Sequence, residues 1–232
     1  MQAIILAGGK GERLTPFTND CPKGMLKIDQ KPILEYQLEW LKKYGVNEII
    51  FACGYLHNVI RDYFDSGKRH EIKISYSIEE EPLGRGGAIK KAWELISNKE
   101  PIIVTNGDIY TEMNLSHALS AHKMQKGIIA TICLFPYKSP YGIVRTQDNG
   151  LVESFEEKRG LPYWVNGGIY IFEKEVKEYL PEKGDHETIT FVELAKKKLM
   201  FGYKSFDYWR GIDTIKDLNE FTYDKKNVLS VK

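Results

Sequence analysis

The sequence has few cysteines and no long apolar run, and these absences exclude several classes of protein. Its three cysteines, Cys21, Cys53 and Cys133, have no Cys-x-x-Cys spacing, so we expect neither a disulfide framework nor a zinc site. The five histidines show no spacing typical of metal ligands. No apolar run approaches the roughly 20 residues of a membrane helix. The short apolar opening also lacks the form of a signal peptide. We therefore expect a cytoplasmic protein without a membrane partner.

Charge and length set two further limits. The formal net charge is +1 at pH 7, which gives no indication of a nucleic-acid partner. Any phosphate binding must therefore depend on a few cations placed beside the ligand. The 232 residues allow one large α/β domain or two small ones, with a sizeable core.

A glycine-rich loop follows the first apolar segment of the chain. Residues 1–6 are predicted to form a buried strand, and glycines occupy positions 8, 9 and 11 directly after it. Glycines let the backbone turn sharply and bring its N–H groups close to a bound oxyanion. Arg13 and Lys23 follow, and both can pair with phosphate oxygens. Together these features suggest a polyphosphate site in which Lys23 is a largely solvated loop residue.

Two common phosphate loops are excluded by the residues after the glycines. A Walker loop requires Gly-Lys-Ser or Gly-Lys-Thr, and the chain has Lys10-Gly11-Glu12 instead. The dinucleotide pattern G-x-G-x-x-G fails because Leu14 takes the place of its third glycine. On physical grounds alone, a polyphosphate loop and an ordinary strand-to-helix turn both stay open.

The full string from Leu6 to Lys23 resembles the signature of the sugar-1-phosphate nucleotidyltransferases. The shared pattern is Leu-Ala-Gly-Gly-x-Gly-x-Arg-Leu, followed by Pro16 and by Pro22-Lys23. This resemblance implies that Arg13 contacts the leaving pyrophosphate and that Lys23 contacts the α-phosphate region. It also implies that the loop holds the nucleotide through Leu6, Ala7, Gly8, Gly9 and Gly11.

Strands and helices alternate through the first half of the chain. Helical spacing of apolar residues predicts helices over residues 32–44, 57–64, 86–96 and 115–126, with strands over 48–53, 72–78 and 101–105 between them. This alternation of strands and helices indicates a mostly parallel sheet with helices on both faces. The resemblance agrees, since it implies an α/β three-layer sandwich with a Rossmann-like mixed sheet.

The pattern changes after Gly127. Strands are predicted over residues 130–135, 142–145, 151–155 and 164–172, and helices over 174–179, 190–200 and 214–221. Asp148-Asn149-Gly150 has the chemistry of a hairpin turn. We interpret residues 1–223 as one domain, with a nucleotide half over 1–127 and a sugar-phosphate half over 128–223. Residues 224–232 are predicted to be a polar, frayed tail.

Two aspartates are candidate metal ligands. Asp108 follows the strand over 101–105, in the turn Asn106-Gly107-Asp108. An ordinary turn is the simpler interpretation of that string, but the resemblance implies that Asp108 binds Mg²⁺. Many relatives have Trp-x-Asp-x-Gly-Thr near the far end, whereas this chain has Gly211 at the aspartate place and Asp213 two places later. Asp213 is therefore either a second metal ligand or the N-cap of the helix after it, and the two roles are compatible.

The segment from Glu79 to Ile89 resembles the base-recognition loop of the family. Three consecutive acidic residues usually form a solvated turn. The resemblance implies instead that the segment binds the base, and that its small residues let the flat ring approach the backbone. Arg85 stands where relatives commonly have threonine. The nucleotide-binding residues implied here are Glu81, Pro82, Gly86 and Gly87.

Motifs in the second half resemble the acceptor side of the family. They are Phe-x-Glu-Lys at residues 155–158 and Asn-x-Gly-Ile-Tyr at 166–170, where single hairpin turns or a surface ion pair are the plainer interpretations. The resemblance implies that Glu157 and Asn166 bind sugar hydroxyls and that Lys158 meets the sugar phosphate. The sugar-phosphate-binding residues implied are Gly142, Glu157, Lys158 and Asn166.

The resemblance implies an enzyme that makes an NDP-sugar and pyrophosphate from an NTP and a sugar 1-phosphate, with Mg²⁺ as cofactor. The base loop is similar to guanylyltransferases acting on mannose or heptose phosphates and to some uridylyltransferases. The Cys53-Gly54-Tyr55 turn and the Ile212-Asp213-Thr214 segment favour the cytidylyl branch. A glycosyltransferase and a catalytically silent nucleotide-binding module are the alternatives from other classes. A homodimer is one assembly open to the chain.

Overall fold

The structure is a computed structural model that describes residues 1–98, 100–139, 141–157 and 160–229, with the backbone alone at 228 and 229. The strands are β1 (Gln2–Ala7), β2 (Lys27–Ile28), β3 (Lys31–Pro32), β4 (Glu48–Cys53), β5 (Lys73–Ile78), β6 (Ile102–Asn106), β7 (Ile109–Thr111), β8 (Ala130–Lys138), β9 (Ile143–Thr146), β10 (Val152–Glu156), β11 (Gly160–Phe172), β12 (Met200–Lys204) and β13 (Trp209–Gly211). The α-helices are α1 (Ile33–Lys43), α2 (His57–Phe64), α3 (Gly84–Ala92), α4 (Leu115–Met124), α5 (Thr190–Lys196) and α6 (Ile215–Asp224). Short 3₁₀ turns cover Glu12–Leu14, Lys23–Met25, Lys68–His70, Trp93–Leu95 and Lys174–Tyr179.

A seven-stranded mixed sheet forms the centre of the molecule. Its strand order is β12-β8-β11-β6-β1-β4-β5. The pairs β1–β4, β1–β6, β4–β5 and β8–β12 are parallel, whereas β11 runs antiparallel to both β6 and β8. The predicted α/β class with a mostly parallel mixed sheet is confirmed. The sheet also continues without a break from the strands of the first half into those of the second.

Helices cover both faces of this sheet, which gives the predicted three layers. Alternate residues of β1 point to opposite faces, because side chains alternate along a strand. Ala3 and Ile5 pack in a core with α1, α2 and α4, and Ile4 packs in a second core with α3 and α5. None of the described helices has the length and apolar character needed to cross a bilayer.

A third and smaller apolar cluster joins the two ends of the chain. It contains Leu14 after the glycine loop, Ile212 after β13 and Phe221 of α6, and all three are fully buried. The ring of Phe221 contacts Tyr36 of α1 with a centroid distance of 6.2 Å. This cluster holds the end of the glycine loop against the segment that contains Asp213.

Several elements differ from the sequence-based expectations. The helix predicted over 190–200 ends at Lys196, because Lys198 adopts a left-handed conformation with φ of 57° and the chain turns into β12. The short strands β7 and β13, which pair antiparallel, are not predicted at all. Beyond Asp224 the backbone continues as a π-helical turn over Lys225–Leu229, five residues into the predicted frayed tail.

Candidate active site

The glycine loop lies at the carboxyl end of β1, in the middle of the sheet. Strand β1 is flanked by two parallel neighbours, β4 and β6, so their carboxyl ends form one edge where ligands of α/β sheets bind. Gly11 adopts φ of +66°, a conformation that favours glycine. A β-carbon there would also lie 3.0 Å from Cβ of Lys23, so the loop passes close to this lysine.

Four charged side chains meet beside the loop. Lys23 Nζ lies 2.6 Å from Asp108 Oδ2 and 2.6 Å from Asp213 Oδ1. Arg13 Nη2 donates to Asp213 Oδ1 at 2.7 Å. Lys23 is 13% exposed, in contrast to the largely solvated loop lysine expected from the sequence, and Arg13 is 71% exposed. The structure therefore brings all four catalytic and metal candidates into one charged cluster, although Arg13 and Asp213 are 200 residues apart in the chain.

Short backbone contacts bring the two carboxylates together. Asp108 lies in the turn between β6 and β7, and its carbonyl oxygen accepts a hydrogen bond from Ile212 N at 2.8 Å. Ile109 pairs with Gly211 where β7 meets β13. Asp213 therefore follows directly from a strand that is hydrogen-bonded to the Asp108 turn. This pairing fixes the positions of the Asp108 and Asp213 side chains relative to each other.

Asp213 is not the N-cap of the helix that follows it. Thr214 occupies the N-cap position, and Asp217 completes a capping box in which each side chain bonds the other's backbone N–H. A capping box satisfies two N–H groups of the first helical turn. The cap interpretation of Asp213 is therefore wrong, and its carboxylate faces Lys23 and Arg13 instead.

Two adjoining cavities open at the charged cluster. The smaller one, of about 310 Å³, lies between the glycine loop, the start of α3 and the Asn106–Asp108 turn. The larger one, of about 790 Å³, extends over the loop towards Arg13 and Asp213. Both are lined by Gly8, Gly9, Lys23, Glu79, Pro82 and Asp108, while Leu6 and Ala7 line only the smaller one and Gly11 and Glu81 only the larger one.

Glu79 has a place in this wall that sequence reasoning missed. It follows β5 and lines both cavities, and its Oε2 accepts a hydrogen bond from Leu83 N at 2.8 Å. Glu81, which the resemblance favours, is an exposed residue at the wall of the larger cavity. No local pattern distinguishes Glu79 from Glu80 and Glu81, since all three follow β5 and line the larger cavity.

Gly86 and Gly87 have a different environment from the one predicted. They are buried against the segment 181–186 rather than in the wall of either cavity. Gly86 N donates to the carbonyl oxygen of Gly184 at 2.8 Å. A β-carbon at Gly87 would lie 2.5 Å from the carbonyl oxygen of Glu182. The small residues of α3 therefore allow close packing against residues 181–187, a segment that we call the brace.

Arg85 ties the cavity wall to the brace. Its guanidinium donates to Asp185 Oδ2 at 2.8 Å and to Glu187 Oε1 and Oε2 at 2.8 and 2.9 Å. Burial acts against the charge of Arg85, but its hydrogen bonding to Asp185 and the negative charge of Glu187 outweigh burial and raise the pKa of Arg85. The arginine that replaces the common threonine therefore has a definite role, which is to join the two halves of the chain.

Asn166 belongs to the same polar network. Its Nδ2 donates to Glu187 Oε1 and to the Tyr170 hydroxyl, both at 2.9 Å, and its Oδ1 accepts from Gly168 N at 2.8 Å. Both amide hydrogens are thus engaged within the protein. Gly168, with φ of +67°, lies against the Asn106 side chain at the cavity wall, so Asn166 shapes the backbone next to the cavity.

Gly142 and Glu157, two further acceptor-side candidates, lie beside the β9–β10 hairpin. A β-carbon at Gly142 would lie 2.5 Å from Phe155 Cζ and 3.0 Å from Glu157 Oε2, so the glycine allows this contact. Neither Gly142 nor Glu157 lines the two cavities found among the described residues. Lys158 lies outside the described residues. The predicted hairpin turn at Asp148-Asn149-Gly150 is confirmed by the antiparallel pairing of β9 and β10.

His186 of the brace is buried without a hydrogen-bond partner. Its ring packs edge-on against Phe191 and Tyr170 at centroid distances of 4.8 and 5.2 Å. Burial and the nearby charge of Arg85 lower its pKa to about 4. The unfolded chain binds a proton near pH 6.5, so this histidine costs no stability above that pH and reduces stability as the pH falls from 6.5 towards 4.

We expect the variant His186→Phe to be less sensitive to acid. Phenylalanine keeps both edge contacts and cannot be protonated. Between pH 7 and pH 5 the wild type should lose about 2 kcal/mol of unfolding free energy more than the variant. Urea unfolding of both proteins at the two pH values measures this difference. Parallel losses in the two proteins would mean that His186 does not cause the acid sensitivity.

Comparison with known proteins places the chain in a family. A family model described as nucleotidyl transferase matches residues 2–227. The D-glycero-α-D-manno-heptose 1-phosphate guanylyltransferase of Aneurinibacillus thermoaerophilus is 37% identical over 213 residues, which cover 90% of this chain and 91% of that protein. A probable glucose-1-phosphate cytidylyltransferase of Bacillus subtilis is 33% identical over 95% of this chain and 94% of its own length. The structure of HddC from Yersinia pseudotuberculosis complexed with GMP-PN matches with a TM-score of 0.76 at 29% identity, over 97% of this chain and 99% of that one. The chain therefore belongs to the sugar-1-phosphate nucleotidyltransferases, as its amino-terminal signature predicts.

Proposed function

We propose that this enzyme transfers a guanylyl group from GTP to a heptose- or mannose-type 1-phosphate and releases pyrophosphate. The observation that carries the proposal is the cluster of Lys23, Arg13, Asp108 and Asp213 beside a glycine loop that opens into two cavities. The choice of guanine is supported by the name of the Aneurinibacillus relative. Cytidylyl transfer to a hexose 1-phosphate is the second candidate, supported by the name of the Bacillus relative.

The two cations have distinct tasks in this reaction. A phosphate oxygen of the sugar 1-phosphate attacks the α-phosphorus of the nucleotide, and the bond between the α-phosphorus and the bridging oxygen breaks as pyrophosphate leaves. Lys23, which is mostly buried and lies between two carboxylates, is placed to offset charge at the α-phosphate. Arg13, which is exposed at the mouth of the larger cavity, is placed to hold the departing pyrophosphate. Catalysis then results from positioning and charge stabilisation without a covalent intermediate.

Asp108 and Asp213 fit the requirements of a magnesium site. Their side chains are 33% and 42% exposed, so both can reach a bound ligand. The described residues include no cluster of three or more His, Cys, Asp or Glu that would hold a metal without help. Mg²⁺ commonly uses one or two carboxylates and takes its other oxygens from water and substrate phosphates. When bound there, Mg²⁺ would neutralise phosphate charge and orient the two substrates.

The sugar phosphate is assigned to the second half of the chain. Glu157, Lys158 and the hairpin around Gly142 are proposed to hold it, with the backbone shaped by Asn166 and Gly168 beside Asn106. The support for this placement is the contact of Gly168 with Asn106 at the wall of the smaller cavity.

The proposal is tested by measuring pyrophosphate release with Mg²⁺ for four NTPs against a panel of sugar 1-phosphates. We expect GTP with a heptose or mannose phosphate to give the highest kcat/KM, and omission of either substrate to abolish release. The best activity with CTP and glucose 1-phosphate would support the second candidate instead. Hydrolysis of an NDP-sugar without pyrophosphate formation would contradict both.

A further inference from the structure

Gln37 lies on α1, beneath the turn that contains Asp108. The residue is buried, with 3% of its surface exposed. The sequence pattern assigns it only to the packed face of a helix. Its carboxamide nevertheless makes hydrogen bonds with three groups of one short segment, residues 105–109.

Both amide hydrogens and the amide oxygen of Gln37 are used. Nε2 donates to the carbonyl oxygens of Asn106 and Ile109, each at 3.0 Å. Oε1 accepts from the Thr105 hydroxyl at 2.6 Å. The two carbonyls stand on either side of Gly107 and Asp108, so one rigid planar group joins the two ends of the turn.

The same contacts extend to Asp213. Ile109, which Gln37 holds, pairs with Gly211, and the carbonyl oxygen of Asp108 accepts from Ile212 N. We infer that Gln37 is a positioning residue of the active site, because it fixes the turn that sets Asp108 and, through β13, Asp213. The inference rests on the proposed role of these two carboxylates.

Trp40 provides a matched control on the same helix. It is also buried, and its Nε1 donates to the carbonyl oxygen of Met113 at 2.8 Å, beyond the end of β7. Trp40→Phe therefore removes a buried hydrogen bond between α1 and the segment that follows β7. This bond lies outside residues 105–109, which Gln37 contacts. Gln37→Met keeps the length of the side chain and removes all three hydrogen bonds. Thr105→Val removes one of these hydrogen bonds, and it replaces Gln37→Met as the test variant if Gln37→Met does not fold.

We expect Gln37→Met to lower kcat about 10- to 100-fold, the range for a small misplacement of catalytic groups. The KM values for both substrates should stay within about twofold, since neither cavity is lined by Gln37. Trp40→Phe should keep a wild-type kcat after correction for the folded fraction. The kcat of Thr105→Val should lie between those of Gln37→Met and Trp40→Phe. Equal kcat values for Gln37→Met and Trp40→Phe would overturn the inference.

Amide exchange gives a readout that does not depend on activity. The Ile212 amide proton should exchange at least about tenfold faster in Gln37→Met than in Trp40→Phe, because its acceptor is the Asp108 carbonyl. In Thr105→Val, which keeps two of the three hydrogen bonds, the exchange rate should lie between those of the other two variants. Unchanged protection would refute a positioning role. The variant Asp108→Asn separates the two proposals: full activity there would contradict the proposed role of Asp108, while the exchange rates would still decide the role of Gln37.

Discussion

Replacing Lys23 with alanine is expected to lower kcat by roughly two to three orders of magnitude, the range for loss of one preorganised charge-stabilising donor. Lys23 is the least exposed member of the charged cluster and lies 2.6 Å from both carboxylates. Arg13, the other cation of the cluster, bonds to Asp213, whereas Lys23 bonds to both carboxylates. Steady-state pyrophosphate release with saturating substrates measures the change.

Two further variants separate charge from structure at this position. Lys23→Met keeps the apolar stem, so it should fold like the wild type and lose as much kcat as Lys23→Ala. Lys27→Ala removes an exposed lysine four residues later and should keep wild-type kcat. A folded Lys23→Met enzyme with full turnover would show that the cation has no catalytic role.

The second large effect is expected for Asp213→Asn. The substitution keeps the shape of the side chain and removes the negative charge, so activity should fall by two orders of magnitude or more. If the cause is weaker binding of Mg²⁺, raising its concentration should recover part of the activity by mass action. The helix start is held by Thr214 and Asp217, and the ion pair with Arg13 is largely exposed. Lys23 loses one of its two carboxylate partners but keeps Asp108, so stability should change by less than about 1 kcal/mol.

Asp108→Asn should behave in the same way, and the double variant is the sharper test. Two ligands of one ion act as a unit, so the double variant should lose much less than the product of the two single effects. Kinetics of the four proteins over a range of Mg²⁺ concentrations complete the cycle. Independent, multiplicative losses would show that the two aspartates do not act through a common ion.

Much of this site was accessible from the sequence, because it depends on local patterns. The apolar segment before the glycines predicts β1, and the position of Asp108 after a buried strand predicts its place at the sheet edge. Thr214-x-x-Asp217 is itself a capping signature, so the amino-acid sequence alone is sufficient to assign Thr214 as the N-cap of α6. No local pattern predicts that Asp213 contacts Lys23, because the two residues are 190 positions apart in the chain.

Other features depend on contacts that no local pattern records. Strands β7 and β13 are three residues each, too short for alternation to identify. Arg85 and the glycines of α3 meet the brace about 100 residues later in the chain, so their packing role is invisible until the fold is known. Gln37 has the spacing of a core residue, and only the structure shows that its carboxamide bonds to polar groups of residues 105–109.

The arrangement of the charged cluster has an evolutionary consequence. Its four members come from the first 23 residues, from the turn at 108 and from 213, and none comes from the described part of the hairpin between β8 and β11. On the proposed assignment of the sugar phosphate to that hairpin, insertions or substitutions there would change which acceptor binds without disturbing the groups that promote the transfer. A lineage can diversify its products in this way while the reaction itself is inherited unchanged, which accords with function residing in sites grafted onto a common fold.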